Sequence, residues 1–332
     1  MPSYKVTLQP SQHQFLASSK QSLLHAGLEA GLNLRYGCDG GNCGECMARL
    51  LCGEIEPVRY SDYIYSASEK QQKAFLSCCF AAASDLQIEM PEIGNVQELC
   101  EQSIHARVYK KQLLSDTVMS LSFKMPRSQP LHFLAGQYVR LKLNDELQRN
   151  KSIASCPCDS LKPEFHIQRR SGDCFSDYVF NQLKKGDTVE IKGPCGKFVL
   201  DDDSPRPLVL IAFDTGFASI KSLVEHAIAL EKEQPIELYW ILTPGHDAYL
   251  ENYCRSVQHA LDNFKYQCLY IDDRSDASVS AVLRQILSGQ KAIRHSDIYV
   301  TLPAEYRKLA KQQLIAAGID DRHWRIDTIK KL

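Results

Sequence analysis

A multidomain α+β and α/β chain is expected from three observations. Three cysteines crowd together with glycines at residues 38–46, short alternating strands fill 102–200, and apolar strands alternate with amphipathic helices from 205 onward. These divide the chain into an α+β block over 1–95, an antiparallel β-barrel over 102–200 and a doubly wound parallel sheet over 205–332.

In the first block, YKVTLQP and HQFLAS alternate as two strands of a hairpin. QSLLHAGLEAGL then sets Leu23, Leu24, Gly27 and Leu28 on one helical face, with Ser18 or Ser19 as its cap. SDLQIEMP is the last strand, and EIGNVQELCEQS is a polar linker. In the second block five strand-like runs are split by turn residues, and one helix, FSDYVFNQLKKG, is closed by Gly186. In the third block five strands alternate with four helices, from LVLIAF to HWRIDTI.

The 332 residues are 44% hydrophobic and 24% charged, with a net charge of -1. So even a balance favours neither nucleic acid nor an anionic membrane as partner. The chain has no apolar run of bilayer length and no charged start leading into an apolar signal core, so a cytoplasmic protein is expected. A monomer is also expected. In that setting 13 cysteines point to reduced thiols or metal ligands rather than a disulfide framework. Cys52 is expected to pack as a small hydrophobe, the ten histidines to be surface or packed residues, and Asp201 to Asp203 to form a solvated loop.

Cys38-x4-Cys43-x2-Cys46 is the spacing of a plant-type 2Fe-2S site, with Cys78 or Cys79 as the fourth ligand. A zinc knot would need a second short Cys-x2-Cys unit, which is missing. Thiolates and sulfides concentrate negative charge. Gly37, Gly40, Gly41 and Gly44 keep side chains away so that backbone N–H groups can face the sulfurs.

On these residues the first block resembles a plant-type ferredoxin domain of β-grasp fold. Leu76-Ser77-Cys78 matches the context of that family's last ligand, which selects Cys78 over Cys79. FLAGQYVRLKL followed by QRNKSIASCP resembles the flavin barrel of the ferredoxin-NADP reductase superfamily. The whole chain resembles the fused iron–sulfur flavoprotein reductases that serve methane, phenol and benzoate oxygenases and a deoxysugar dehydrase. The resemblance implies FAD as the flavin. Arg149 would bind its pyrophosphate, Ser152 its reactive edge, and Gly172 to Ser176 the phosphate at a helix start. Lys151 stands where the family has a stacking aromatic residue; it either favours an anionic reduced flavin or points to solvent.

The third block departs from the family's nicotinamide motifs. Phe213-Asp214 replaces two glycines before Thr215-Gly216, Ile241-Leu242-Thr243 replaces Gly-x-Arg, and Thr301-Leu302-Pro303 replaces Cys-Gly-Pro. Asp327-Thr328-Ile329 replaces Asp-x-Phe near the end. An aspartate at the mouth of a phosphate-binding helix opposes the ligand's charge. Two functions follow as expectations. In one, NAD(P)H, facing Thr215, Gly216 and Thr301, reduces FAD, and the 2Fe-2S cluster passes single electrons to an electron-accepting oxygenase, hydroxylase or dehydrase component. In the other, a redox or docking module keeps the cluster without oxidising NAD(P)H.

Overall fold

The computed structural model describes residues 2–329 apart from 39, 94, 95, 97, 98, 290 and 291. Part of the expected linker, at 94–95 and 97–98, and the last three residues therefore lie outside the described residues.

The N-terminal domain is built from β1 (Ser3–Gln9), β2 (Gln14–Ser18), α1 (Leu23–Glu29), β3 (Met47–Cys52), β4 (Ile55–Pro57), α2 (Ala67–Gln71), β5 (Ala74–Leu76), β6 (Phe80–Ala82) and β7 (Leu86–Glu89). Its sheet runs β2-β1-β7-β3-β5, and β1 pairs with β7 in parallel. Helix α1 starts later than the cap residues expected from the sequence: Ser22, not Ser18 or Ser19, accepts the His25 N–H. Ser18 is still paired in β2, opposite Ser3, and so cannot cap. Gly27 lets the helix close on the core, since a Cβ there would lie 2.5 Å from the Leu34 side chain. Cys52 is exposed rather than packed: it lies opposite Gln87 of β7 but beyond the end of β5, and the last two residues of β3 face solvent.

The barrel comprises β8 (Gln102–Ser115), β9 (Val118–Lys124), β10 (Tyr138–Lys142), β11 (Gln148–Ser152), β12 (Glu164–Gln168), α3 (Cys174–Asn181) and β13 (Thr188–Cys195). Its strand order is β11-β10-β13-β8-β9-β12, and a bridge between Ile153 and Phe165 joins the two ends. Closure removes the exposed edges that an open sheet would present. Helix α3 ends at Asn181, so Gly186 is not its cap. With φ +95°, Gly186 turns the chain into β13 and donates to the Val108 carbonyl.

The C-terminal domain alternates β14 (Leu208–Phe213), α4 (Phe217–Ala229), β15 (Ile236–Leu242), α5 (Glu251–Ala260), β16 (Phe264–Tyr270), α6 (Asp276–Gly289), β17 (Asp297–Pro303), α7 (Arg307–Ala316) and β18 (Trp324–Ile329). All pairs are parallel, in the order β16-β15-β14-β17-β18. Strand β14 lies between neighbours with helices on both faces. All six of its residues are buried, which is why LVLIAF reads as a continuous apolar run. No described helix is long and apolar enough to cross a membrane.

The acidic run at 201–203 is not simply solvated. Asp202 accepts from His226 of α4 and from Asn33 of the N-terminal domain, and Lys232 holds its carbonyl. Asp203 faces His13, whose other ring nitrogen meets Glu92. Gly31, with φ +82°, lies against Ala229 and Leu230 at the end of α4. The run therefore helps fasten the first domain to the third.

Candidate functional site

The cysteine loop is shaped by two strand ends. Strands β3 and β5 pair with Met47 opposite Leu76, which brings Cys46 and the Ser77-Cys78 turn to one end of the sheet. Ser77 locks that turn by donating both its N–H and its hydroxyl to the Cys46 carbonyl. The Sγ atoms of Cys46 and Cys78 lie 3.3 Å apart and are buried. Cys38 and Cys43 form a second hydrogen-bonded pair. Burial pushes the Cys38 thiol up, but backbone N–H groups of Asn42, Gly40 and Cys43 outweigh it and favour the thiolate. The contact with Cys78 brings Cys46 down to about 7. Two thiol pairs suit a group with two iron ions, two thiolates to each, and the inward-facing amides offset its charge.

Cys79 sits differently. Its sulfur lies under Gly41, where an added Cβ would be 2.6 Å from it, and 3.6 Å from the Cys78 sulfur. Gly41 (φ +79°) and Gly44 (φ +81°) both take left-handed dihedrals, and Gly44 lies against the Tyr63 ring.

On its other side the loop meets the barrel. Tyr36 contacts His132 edge-on at 4.6 Å between centroids, and its hydroxyl bonds Ser160. A cavity of about 610 Å³ opens here, lined by Arg35, Tyr36, Gly37, Glu45, Gln102 and His132 among others. Burial pushes His132 down to about 4, with Glu45 opposing weakly. Folding therefore disfavours its proton, and between about pH 6.5 and 4 the unfolded chain binds a proton that the folded chain does not. Stability is expected to fall as pH drops through that window. A His132→Gln variant should show a shallower decline in melting temperature over the same range.

At the barrel mouth, Asp173 caps α3 by accepting the Ser176 N–H at 3.1 Å and pairs with Arg149 at 3.2 Å. Alone, Asp173 would repel an anion, but its charge is already shared with a guanidinium. Ser176 is fully buried, and its hydroxyl donates back to the Arg170–Asp173 loop. Gly172, with φ +76°, has open space beside it. Lys151 does not point freely to solvent. Its ammonium lies 5.4 Å from the Phe175 ring centre, and burial, then Arg170 and Arg149, lower it to about 8 against the pull of Asp173. Arg149 also keeps a buried Nε with no hydrogen-bond partner. Three cations thus face one carboxylate, a donor set that fits the two negative charges of a pyrophosphate. Arg149, Lys151 and the α3 amides would hold FAD there.

Ser152 lies opposite Tyr138, which lies opposite Cys195, at the end of the barrel that meets the third domain. Asp327 of β18 acts electrostatically on Tyr138 across this seam, and Asp327 is the cross-strand neighbour of Thr301. Gly216 packs on Thr301, whose Oγ1 is fully buried and without a hydrogen-bond partner. Thr215 beside it is half-buried. The fold thus gathers Ser152, Thr215, Gly216 and Thr301 along one seam, while Arg149, Lys151, Gly172 and Ser176 cluster at α3. Tyr138 was not singled out in the sequence; its only signal was its place in GQYV ahead of the flavin motif.

Asp214 does not oppose a ligand at the mouth of α4. It takes φ +46° and turns inward, accepting from the Thr243 N–H at 2.9 Å and the Thr243 hydroxyl at 2.8 Å. His246 stands 3.5 Å away. Two of the apparent departures are therefore one contact: Asp214 in a glycine's place and Thr243 in an arginine's tie the ends of β14 and β15 together. Phe217, the first residue of α4, stacks on Trp240 at 3.9 Å beneath them.

Comparison with known proteins agrees with this arrangement. The 2Fe-2S iron-sulfur cluster binding domain family matches residues 6–83, and the oxidoreductase FAD-binding domain family matches residues 105–200. The CDP-6-deoxy-L-threo-D-glycero-4-hexulose-3-dehydrase reductase of Yersinia pestis is 30% identical over 250 residues, 74% of each chain. Terephthalate 1,2-dioxygenase reductase component 1 of Comamonas sp. is 31% identical over 263 residues, 79% of this chain and 77% of that one. The Amycolatopsis cytochrome P450 reductase GcoB shares the fold, with a TM-score of 0.62 at 22% identity over 99% of both chains. These likenesses favour an electron-transfer reductase over a module that has lost its nicotinamide chemistry. A ferredoxin domain ahead of a flavin barrel and a nicotinamide-type sheet, with relatives at this identity and coverage, places the chain in one family: it belongs to the iron–sulfur flavoprotein reductases, NAD(P)H-dependent oxidoreductases that carry a 2Fe-2S cluster and FAD.

Proposed function

We propose that this reductase delivers single electrons to an oxygenase, hydroxylase or dehydrase component, acting as a cytoplasmic monomer in which 1–95, 102–200 and 205–332 work as separate modules. Flavin converts a hydride's two electrons into single ones, and the cluster carries them singly. The chain's own residues do the rest. Cys38, Cys43, Cys46 and Cys78 ligate iron. Arg149, Lys151 and Gly172 hold the pyrophosphate, Ser176 fastens the Arg170–Asp173 loop behind it, and Ser152 faces the reactive edge of the flavin. Thr215 and Gly216 face the nicotinamide, while Thr301, expected from the sequence to face it too, is buried beneath Gly216 and supports that wall from behind.

The observation that carries this reading is the seam. Just past Ser152 the Ser155 carbonyl accepts from the Ser222 hydroxyl of α4 and the Ala154 carbonyl from Lys221, and Thr301 lies on the third-domain side behind Gly216. Hydride transfer needs its two rings in contact, and this seam joins the flavin and nicotinamide modules. The test is ferricyanide reduction by purified native protein with NADH and with NADPH, which needs no knowledge of the partner. Brisk turnover with either nucleotide is expected. Its absence with both, in flavin-replete protein, contradicts the reading.

A further inference from the structure

We propose that Cys156 and Cys158 form a reversible thiol–disulfide couple served by His226 and Asp202, a redox site separate from the flavin and the cluster. The two cysteines flank Pro157, which opens a short 3-10 turn over Pro157–Asp159, and they are joined as a disulfide. The expectation of wholly reduced thiols therefore fails at this pair, because the proline turn brings both sulfurs to one side. A bond between residues two apart is a poor staple, since little loop-closure entropy is removed from the unfolded chain.

Its surroundings are those of a reactive thiol. The Cys156 sulfur lies 3.9 Å from His226 Nδ1. The other ring nitrogen, Nε2, lies 3.1 Å from both Asp202 oxygens. A carboxylate only accepts, so Nε2 carries a hydrogen and Nδ1 is the nitrogen that faces sulfur. His226 is almost wholly buried, so the imidazole is held in this pose. Glu225 accepts the Cys156 N–H and is itself paired with Lys221, which limits its repulsion of a thiolate.

Exposure sets the order of events. Cys156 is buried and Cys158 half-buried, so an incoming thiolate reaches Cys158 first. The reductant is a dithiol, either a small molecule or a protein. Its thiolate attacks the Cys158 sulfur, the S–S bond breaks, and the electron pair leaves on Cys156, which takes a proton by way of His226. The second thiol of the reductant then attacks its own sulfur in the mixed disulfide and releases Cys158. Two electrons and two protons pass to the protein, and the reductant departs as a disulfide. The site lies at a three-domain joint: the turn packs between α1 and α4, and Ser160 just beyond it bonds Tyr36, two residues before Cys38.

The test uses the full-length holoprotein, purified without oxygen and equilibrated in buffers of reduced and oxidised dithiothreitol. Thiols are trapped with iodoacetamide, and the Cys156–Cys158 peptide is weighed by mass spectrometry. The proposal predicts a shift from unmodified to doubly alkylated as the buffer becomes more reducing. It also predicts that His226→Gln slows reduction of the disulfide by dithiothreitol at pH 7 by about tenfold, as the Cys156 leaving group loses its partner. A pair that is doubly alkylated in every buffer, or in none, overturns the couple. An unchanged rate in a folded His226→Gln protein overturns the role of the histidine. The buffer titration of native protein stands whether or not that variant folds.

Discussion

Cys46→Ser protein is expected to lose its iron–sulfur absorbance and labile sulfide while still binding flavin. Cys46 and Cys78 lie sulfur to sulfur at 3.3 Å in a buried site, with the Ser77 turn fastened to the Cys46 carbonyl. Serine supplies a harder, far less acidic donor at a point where backbone amides are already aimed at a thiolate. Changes to groups merely supporting a metal ligand cost roughly 10–100-fold. Loss of a ligand itself should therefore lower electron delivery to a protein acceptor such as cytochrome c by more than about a hundredfold. Ferricyanide reduction, which can draw on flavin directly, should survive. Cys79→Ser should keep its cluster, since the Cys79 sulfur is turned under Gly41. Sulfide analysis and paramagnetic resonance after dithionite separate the two variants. A cluster in Cys46→Ser would remove Cys46 from the ligand set, and its loss in Cys79→Ser would bring Cys79 into it.

The second large effect is at Arg149. Its guanidinium balances Asp173 at 3.2 Å and has a buried Nε to spare. A hydrogen bond to a charged partner contributes about 1.5–3 kcal/mol, so Arg149→Ala should weaken FAD binding by roughly 10–100-fold. The stranded Asp173 carboxylate would add repulsion toward the incoming phosphates. The double variant Arg149→Ala with Asp173→Ala should therefore bind FAD better than the single one. Fluorescence titration of flavin-stripped protein measures both. A single variant that binds as tightly as native protein would remove Arg149 from the phosphate site.

Much of this was legible where the information is local. Three cysteines and four glycines within ten residues describe their own loop, because ligand spacing and left-handed turns are short-range properties. The barrel and the parallel sheet followed from strand alternation and from apolar runs such as Leu208–Phe213. What could not be read was contact between distant residues. Asp214 looks hostile to an anion until Thr243, 29 residues on, is seen to hold its carboxylate. Asp173 looks equally hostile until Arg149 is found beside it. Cys156 and Cys158 look like ordinary thiols until His226, 70 residues beyond Cys156, is placed between them and Asp202. Short-range errors were smaller: Ser22 caps α1 because β2 keeps Ser18 in its ladder.

The most direct test of the electron path is a stepwise anaerobic titration of native protein with NADH and with NADPH, following flavin and iron–sulfur absorbance separately. The account predicts that one nucleotide bleaches both chromophores, taking up about three electrons per chain, two at the flavin and one at the cluster. Chromophores that stay oxidised with both nucleotides, yet are reduced at once by dithionite, would contradict it.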